Sequence, residues 1–538
     1  MKEVKEKMKN DVFDLTQETD VVIVGYGPVG AALAVYLGKL GVSTIVIEKN
    51  LEILKMPRAI ALDNEALRVL QRIGLADDSF DKIPIEIVRM HCPFLGQFSE
   101  INTSGKIDEM SKLVTFYQPD LENALRKQVS KYSHIHILHG AEFLSFTENQ
   151  NSIDISIKDA QGCDRSIHAK YLVGADGASS KIRSLIGFDF CGASYSEDWL
   201  IVDAKNRHGK AIDHIEFICN PERPTPHMPA PGGRERWEFM LQPHETREEM
   251  EKPEKIQELL KAWGNLEDFE IERQAVYRFH ARCCDQFQKG KVFLVGDAAH
   301  ITPPFVGQGL VAGLRDIANL GWKLKFALKT KHPIHLLESY DKERRPHAKQ
   351  MIKLAKVMGL MVMPQNKIKA IAIHGLMKTL GLIPFTRQYF TELKIKPQIR
   401  YKSGFLGSKS KLSGIHKSHF EIGKQISQIK LKNVDLQILK SDHCWQDDFV
   451  ILGIGAEPKT FISHELLRKW DSIGGKISSI WSENNFKNQD GFIDIEKQWA
   501  IKSAKPFGLI LRPDGIVYDI FDMKNINQSL SQCLGHLA

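Results

Sequence analysis

A glycine-rich turn near the start of the chain has the residue types and spacing of a phosphate-binding site. The turn consists of Gly25, Tyr26, Gly27, Pro28, Val29 and Gly30. Its first glycine permits a tight turn, its second lets a pyrophosphate approach the backbone, and its third lets the following helix pack closely. Pro28 would stand in the first helical turn, where its missing N–H costs little.

Glu48 completes this pattern because it ends the next apolar run. Its distance from the turn is close to the roughly 20-residue offset expected of a carboxylate that binds a ribose hydroxyl. A glutamate there would repel a 2′-phosphate, so the pattern favours FAD or NAD over NADP. A tight turn without a ligand is the alternative, but the strand before the glycines and the helix after them favour a dinucleotide site.

A second pattern lies far along the chain, where an apolar strand ends at VGDAAH and the sequence continues as ITPPFVGQGL. An aspartate just past a strand can bind a ribityl hydroxyl, and a glycine-rich helix entry can approach a flavin ring and a phosphate. An N-capping aspartate before a proline-kinked loop would not explain the Gly-Gln-Gly run. The pattern therefore predicts FAD, and the residues expected at the cofactor are Gly296, Asp297, Pro304, Gly307, Gly309 and Leu310.

These motifs resemble those of class A, single-component FAD-dependent aromatic hydroxylases, the para-hydroxybenzoate hydroxylase superfamily. GDAAHITPPFVGQGL resembles the family's second flavin motif, and GADGASSKIR resembles its intermediate Asp-Gly motif. That motif, which contains Asp176, contacts FAD and the nicotinamide nucleotide in the family. The resemblance further implies that Arg58 lies over the flavin, that Gln118 contacts it, and that Arg126 lies nearby.

Within this group the chain most resembles the 3-(3-hydroxyphenyl)propionate hydroxylase branch. The supporting segments include PRAIALDNEALR, PHMPAPGGRERWEFML and GQGLVAGLRDIANLGWKL. One position departs from the pattern, because many members carry Asn where this chain has Val311. A hydrogen bond to the flavin at that position would have to come from the backbone.

The resemblance implies an NAD(P)H- and O2-dependent monooxygenase with FAD as its cofactor. NADH or NADPH would reduce FAD, O2 would add at the flavin C4a position, and the C4a-hydroperoxyflavin would hydroxylate a phenolic aromatic acid such as 3-(3-hydroxyphenyl)propionate. The protein would exclude water and accept the phenol proton. No metal ligand cluster is readable, and the mechanism needs none.

The base and the groups that bind the substrate are not fixed by these motifs. The candidate catalytic residues are Arg58, His227, Arg236 and Tyr277, which lie on segments suited to a substrate pocket. Arg234, Trp237 and His300 have comparable positions. A structural role is the alternative for each of them.

The elements that must position these residues predict an α/β fold. DVVIV, the glycine turn, a helix and VSTIVIE form a βαβ unit, which predicts a Rossmann-like FAD-binding domain with a parallel sheet. We expect this domain at 19–190 and 285–360, an inserted mixed or antiparallel β-sheet substrate domain at 191–284, and a helical connector at 361–400. Residues 1–18 read as a leader. Residues 401–538 resemble the thioredoxin-like tail of the same family, without a CxxC pair.

Composition indicates an ordinary globular protein with a small positive charge. Lys and Arg number 73 and Asp and Glu 66, for a net charge of +7, which is weak evidence for nucleic-acid binding and suits anionic cofactors. No apolar run reaches the roughly 18 residues of a membrane span, and no secretory signal is readable. We therefore expect a cytoplasmic enzyme, a homodimer, whose partner is a small aromatic substrate.

Two alternatives stay open at this point. A hydroxylase of the same architecture could act on a bulky polyketide or antibiotic, since pocket residues within 190–280 decide the substrate. A flavin-binding sensor that has lost turnover is the second, supported by Val311 and by the tail without a dithiol.

Overall fold

The computed structural model describes residues 18–54, 57–207, 211–330, 332–383, 396–407, 420–445, 447–483, 486, 491–499 and 506–537. The predicted leader, apart from Glu18, and residues 384–395 of the predicted connector lie outside the described residues.

The described strands are β1 (Thr19–Val24), β2 (Thr44–Glu48), β3 (Ala61–Asp63), β4 (Lys82–Pro84), β5 (Ile87–Cys92), β6 (Gly96–Asn102), β7 (Lys106–Ile107), β8 (Met110–Ser111), β9 (Leu113–Phe116), β10 (Ile135–His139), β11 (Glu142–Glu148), β12 (Ile153–Lys158), β13 (Asp164–Gly174), β14 (Phe190–Asn206), β15 (Ile215–Ile218), β16 (Thr225–Ala230), β17 (Arg234–Met240), β18 (Phe269–Cys284), β19 (Gln288–Lys289), β20 (Val292–Leu294), β21 (His300–Ile301), β22 (Lys430–Lys432), β23 (Ile438–Lys440), β24 (Val450–Ile454), β25 (Lys476–Trp481), β26 (Phe492–Asp494), β27 (Phe507–Leu511) and β28 (Val517–Asp522).

The described α-helices are α1 (Pro28–Lys39), α2 (Asn64–Arg72), α3 (Gln118–Val129), α4 (Lys181–Ile186), α5 (Arg247–Met250), α6 (Pro253–Leu260), α7 (Gly309–Ala327), α8 (Ile334–Val362), α9 (Lys367–Leu382), α10 (Ser441–Trp445), α11 (His464–Ser472) and α12 (Ile526–Leu537).

The first sheet carries both glycine motifs at one edge. Its strand order is β10-β2-β1-β13-β12-β11, with β20 also paired to β13. β1 runs parallel to β2 and β13, and β13 runs parallel to β20. Strands β1 and β2 are short, apolar and buried on both faces, as parallel strands covered by helices must be. The predicted Rossmann-like unit is confirmed, because the carboxyl ends of β1, β2 and β20 meet at one edge.

The second sheet is mostly antiparallel and has the order β21-β18-β14-β17-β16-β15-β5-β6. It extends beyond the boundary expected at 191–284. β15 pairs in parallel with β5, so a hairpin from Ile87 to Asn102 joins the sheet from within the segment assigned to the FAD-binding domain. Sequence patterns show which residues form strands, but they do not show which sheet a distant hairpin joins.

The third sheet belongs to the C-terminal unit. Its core order is β25-β24-β27-β28, where β24 and β25 are parallel and the last two strands are antiparallel to their neighbours. α11 connects β24 to β25, and α12 follows β28. A βαβ unit followed by a ββα unit in this order is thioredoxin-like, as the resemblance implied.

Buried charges join the C-terminal unit to the FAD-binding domain. The Arg68 guanidinium donates to both carboxylate oxygens of Asp442, at 2.7 and 2.8 Å. Arg512 likewise donates to both oxygens of Glu343, at 2.7 and 2.8 Å, and Lys323 donates to Glu343 at 2.8 Å. All five side chains are nearly or fully excluded from solvent. In the part of the chain that the structure describes, no helix is both long and apolar enough to cross a membrane.

Candidate active site

The glycine turn is held by contacts that tolerate no side chain. Gly25 has a φ of +103°, and a Cβ there would meet the Ala175 carbonyl oxygen at 2.3 Å. A Cβ on Gly30 would lie 2.0 Å from the Gly25 carbonyl oxygen. Gly27 differs, because nothing lies within 4 Å of the place where its Cβ would be. The protein therefore needs Gly25 and Gly30 for its own packing and leaves open space in front of Gly27.

Glu48 lies at the end of β2 beside this turn and is 9% exposed. One carboxylate oxygen accepts the Tyr26 backbone N–H at 2.8 Å. The other accepts the backbone and side-chain N–H groups of Asn50, each at 2.8 Å. The Arg126 guanidinium lies over the ring of Tyr26, 4.6 Å from the ring centroid. These contacts fix the carboxylate beside the glycine turn.

Gln118 and Arg58 are brought together, although they lie on separate segments. The Gln118 side-chain oxygen accepts the backbone N–H groups of Arg58 and Ala59, at 2.9 and 2.8 Å. Its amide donates to Glu122 at 2.8 Å. Gln118 therefore fixes the backbone that carries Arg58, while the Arg58 side chain is 65% exposed and reaches Asp297 at 3.7 Å.

The Asp297 turn is organised by a buried aspartate that sequence reasoning missed. Asp316 on α7 accepts the Gly296 backbone N–H at 3.0 Å and contacts His300 Nε2 at 2.6 Å. Arg344 donates to its other oxygen at 2.9 Å. Burial alone would raise the pKa of Asp316, but His300 and Arg344 hold it below its ordinary value. His300 thus supports the turn.

The Gly307–Gly309 segment is supported by Asp63, the last residue of β3, and by Arg315 on α7. Gln308 donates to Asp63 at 3.0 Å, and Arg315 donates to Gln308 and Asp63 at 2.9 and 3.1 Å. Gly307 has a φ of +60°, and nothing lies within 4 Å of a Cβ built on Gly309. Open space therefore faces the start of α7, as it does at Gly27.

The remaining motif residues lie around the same edge. Asp176 accepts the Lys181 backbone N–H at 2.8 Å, and Arg183 of the same motif donates to the Ala298 carbonyl at 3.0 Å. Leu310 is 9% exposed, and Val311 is fully buried in the main apolar core. Val311 is thus a core residue here, which explains how this position accommodates an apolar side chain.

Residues on one face of the second sheet also bind the backbone of the loop that carries Arg58, in addition to Gln118. Arg236 donates to the Pro57 and Arg58 carbonyls, at 2.9 Å each, and to Asp203 at 2.6 and 3.0 Å. Arg273 also binds the Pro57 carbonyl and lies 3.1 Å from Asp203. Arg236 is 2% exposed, so its contacts make it a support of the Arg58 loop.

Further along the same face, aromatic side chains meet the Pro-Pro-Phe turn of the second motif. Phe305 packs edge-on against Tyr195, Trp199 and Phe279, with ring centroids 5.8 to 6.0 Å apart. Tyr277 lies in the same apolar cluster, which several methionines of α8 and α9 complete. Aromatic and methionine side chains suit a pocket for a flat apolar ring.

The other face of the sheet holds His227 and Trp237, away from the aromatic cluster around Phe305. His227 lies between Glu216 and Glu235, at 3.0 and 2.7 Å, and stacks on Trp237 with ring centroids 4.7 Å apart. Although burial alone would lower it, the two carboxylates raise the pKa of His227. Arg234, by contrast, lies on the same face as Arg236, where it pairs with Glu272 and lies over the Tyr117 ring. His227 and Trp237 belong to a closed network on the far side of the sheet.

A residue that we had not selected lies between the Arg58 support and the aromatic cluster. Glu238 follows Arg236 by two positions on β17 and pairs with Ile201 across the sheet. It is 7% exposed, and burial raises its pKa to about 7 against the opposing effect of Arg236. The sequence signal was the alternation Arg236, Glu238, Met240 on one face of a strand whose other face is aromatic.

The residues present fit FAD. Gly27 and Gly309, one in each glycine motif, have open space where a Cβ would be, which leaves room for a pyrophosphate or a flavin ring to approach the backbone. Gly313 of α7 packs on both motifs, since its Cβ would meet Val29 at 2.6 Å and Gly296 at 3.2 Å. Asp176 Oδ1 and Arg126 Nε are buried and have no partner among the described residues, which leaves polar atoms for a ligand.

Comparison with known proteins agrees with this geometry. Residues 18–355 match the family model described as FAD binding domain, and residues 423–536 match that described as HcaD C-terminal domain. The chain is 31% identical to the 3-(3-hydroxy-phenyl)propionate/3-hydroxycinnamic acid hydroxylases of Paraburkholderia xenovorans and Escherichia coli. These alignments cover 97% of this chain and 91% and 95% of those proteins, respectively.

Solved structures share the fold at lower identity. The flavin-dependent monooxygenase PieE, in complex with FAD and substrate, superposes with a TM-score of 0.80 at 20% identity, over 97% of this chain and 100% of that one. Aklavinone-11 hydroxylase with FAD and aklavinone gives 0.75 at 20% identity, over 96% and 98%. The chain therefore belongs to the FAD binding domain family and, within it, to the FAD-dependent aromatic hydroxylases.

Proposed function

We propose that this chain hydroxylates a phenolic aromatic acid of the 3-(3-hydroxyphenyl)propionate class, using NADH or NADPH and O2. The observation that carries the proposal is the match to hydroxylases named for that substrate over 97% of the chain. The aromatic cluster around Phe305 supports it, because a ring held there would lie against the flavin motif. We also propose that the protein is a cytoplasmic homodimer.

Bound FAD supplies the redox and oxygen chemistry of this reaction. We assign the pyrophosphate to the Gly25–Gly30 turn and the N-terminus of α1, and the adenosine ribose to Glu48. Asp297 would accept a ribityl hydroxyl. The further residues assigned to the cofactor are Arg58, Gln118, Arg126, Asp176, Gly296, Pro304, Gly307, Gly309 and Leu310. Of these, Gln118 acts through the backbone of Arg58.

The chain's own part in the reaction is to hold the ring and exclude water. Phe305, Trp199 and Phe279 form an apolar wall, and Trp199 is completely buried. Arg236 and Arg273 fix the loop that presents Arg58. A dry site of this kind protects a reactive group from side reactions with water.

The test is a panel of phenolic acids offered to the purified, FAD-loaded protein. We expect a phenolic acid with a short carboxylate side chain to stimulate NAD(P)H oxidation and to yield one hydroxylated product per NAD(P)H. Turnover only with bulky polycyclic phenols would contradict the proposed substrate class. NAD(P)H oxidation that released only hydrogen peroxide with every phenol would contradict the proposed activity.

A further inference from the structure

Glu238 lies on the face of the second sheet that also carries Arg236 and Met240, and the contacts that support the Arg58 loop do not use it. Its cross-strand partner Ile201 and the next residue on its face, Met240, both belong to the apolar cluster around Phe305. The preceding residue on that face, Arg236, holds the Arg58 loop. Glu238 therefore lies between two segments that carry flavin motifs.

The Glu238 side chain is 7% exposed, its carboxylate oxygens are not fully enclosed, and they have no hydrogen-bond partner among the described residues. Asp203 accepts hydrogen bonds from Arg236 and Arg273, and no hydrogen bond or ion pair to Glu238 occurs among the described residues. A buried carboxylate that served only to stabilise the sheet would be expected to take such a bond, since an unpaired one is costly. A largely buried carboxylate without a protein partner is typical of a functional site.

We propose that Glu238 is the catalytic base that accepts the proton of the substrate's ring hydroxyl. The inference rests on the proposed function, because it requires a phenolic substrate in the pocket beside Phe305. The ring O–H bond breaks, an O–H bond forms on the Glu238 carboxylate, and the electron pair stays on the phenolate oxygen. The proton returns to the product or to solvent when the ring hydroxyl is restored.

The charges around Glu238 suit this transfer. Those that act on it are Arg236 of its own strand, Asp203 of β14 and Arg273 of β18. With Glu238 ionised, the two cations and two anions balance. When the proton moves, the negative charge passes from Glu238 to the phenolate beside the same two cations, so the net charge of the buried region does not change. A base also works best when its pKa lies near the working pH, and that of Glu238 is about 7.

The experiment compares wild type with Glu238→Gln and Glu238→Asp, all loaded with FAD. Glu254→Gln is the matched control, since Glu254 is exposed on α6 and lies outside the site. The first readout needs no turnover: the ionisation of a bound phenol, carbon-13-labelled at the hydroxyl-bearing carbon, is followed by NMR as pH changes. The second readout is hydroxylated product formed per NAD(P)H consumed.

We expect Glu238→Gln to lower product formation about 100-fold, as loss of a general base does. Ionisation of the bound phenol should shift to lower pH, because loss of the carboxylate leaves Arg236 and Arg273 against the single charge of Asp203. Glu238→Asp should fall between this variant and wild type, and Glu254→Gln should match wild type. In wild type, product formation should decline as pH falls below about 7, and Glu238→Gln should lose that dependence. Bound-phenol ionisation and product yield unchanged in Glu238→Gln would overturn the proposal.

Two further outcomes are informative. If Glu238→Gln does not retain FAD, the test uses Glu238→Asp instead. That variant keeps the negative charge but moves it back by one methylene. An unchanged ionisation profile in that variant overturns the proposal. If wild type hydroxylates no phenolic acid, the proposed function fails, but the NMR arm still tests Glu238 with any phenol that binds.

Discussion

The Arg58 guanidinium lies 3.7 Å from the Asp297 carboxylate, although the two residues belong to motifs at opposite ends of the FAD-binding domain. Each is held by its own set of buried contacts. Gln118 and Arg236 fix the backbone of Arg58, and Asp316 fixes the turn that carries Asp297. The pair therefore marks where the two segments proposed to bind the flavin meet.

Replacing Arg58 by methionine should weaken FAD binding without unfolding the protein. The Arg58 side chain is 65% exposed, so its loss removes a cation that faces Asp297 but leaves no buried charge unpaired. We expect FAD affinity to fall, measured by fluorescence titration of the apoprotein, with an unchanged melting temperature. Arg165→Met is the control, because Arg165 forms a comparably exposed ion pair with Asp159 on a distant hairpin. Equal FAD affinity in both variants would contradict the assignment.

Two alanine substitutions in the glycine turn should separate folding from cofactor binding. In Gly27→Ala the new Cβ meets no protein atom within 4 Å, so the apoprotein should keep its stability while FAD affinity falls. In Gly25→Ala the Cβ meets the Ala175 carbonyl oxygen and the φ of +103° is strained, so both stability and affinity should fall. Thermal melts with and without FAD make the comparison. A Gly27→Ala variant that binds FAD as wild type does would show that the pyrophosphate lies elsewhere.

Removing Arg512 should destabilise the whole chain. Arg512→Met leaves the buried Glu343 carboxylate with Lys323 as its remaining cation, and breaking a buried pair costs about 3–5 kcal/mol. Lys342→Met is the control, because the Lys342 pair with Glu338 is exposed and such pairs contribute less than about 1 kcal/mol. Denaturant unfolding gives both values. Similar losses in the two variants would contradict the role of this network in docking the C-terminal unit.

Acid should destabilise the protein through the same network. Arg512 and Lys323 overcome the effect of burial and lower the pKa of Glu343 from 4.5 to about 2. A lowered folded-state pKa gives stability that is complete above the ordinary pKa and is lost as pH falls from about 4.5 towards 2. The free energy of unfolding should therefore decline across that range, and Glu343→Gln should flatten the decline. If the free energy of unfolding declined as steeply with falling pH in Glu343→Gln as in wild type, the acid sensitivity would come from other carboxylates.

The sequence predicted the parts of the site that depend on local geometry. Gly25, Gly30 and Glu48 form one βαβ unit, so their roles follow from spacing and strand order alone. Asp316 supports Gly296 and His300 from a helix that begins after the motif, and no spacing rule relates it to Arg344. The charges that act on Glu238 include those of Asp203 and Arg273. These two residues lie on neighbouring strands and come close to Glu238 only after the sheet forms, so spacing along the chain does not show the relation.

The most direct test of the account is hydroxylation of 3-(3-hydroxyphenyl)propionate by the purified yellow protein under isotope-labelled dioxygen, with the product analysed by mass spectrometry. We predict a ring-hydroxylated product that carries one labelled oxygen atom, formed with NADH or NADPH and only when FAD is bound. A protein that binds no FAD, or an FAD-loaded protein that yields no labelled product from any phenolic acid, would contradict the account.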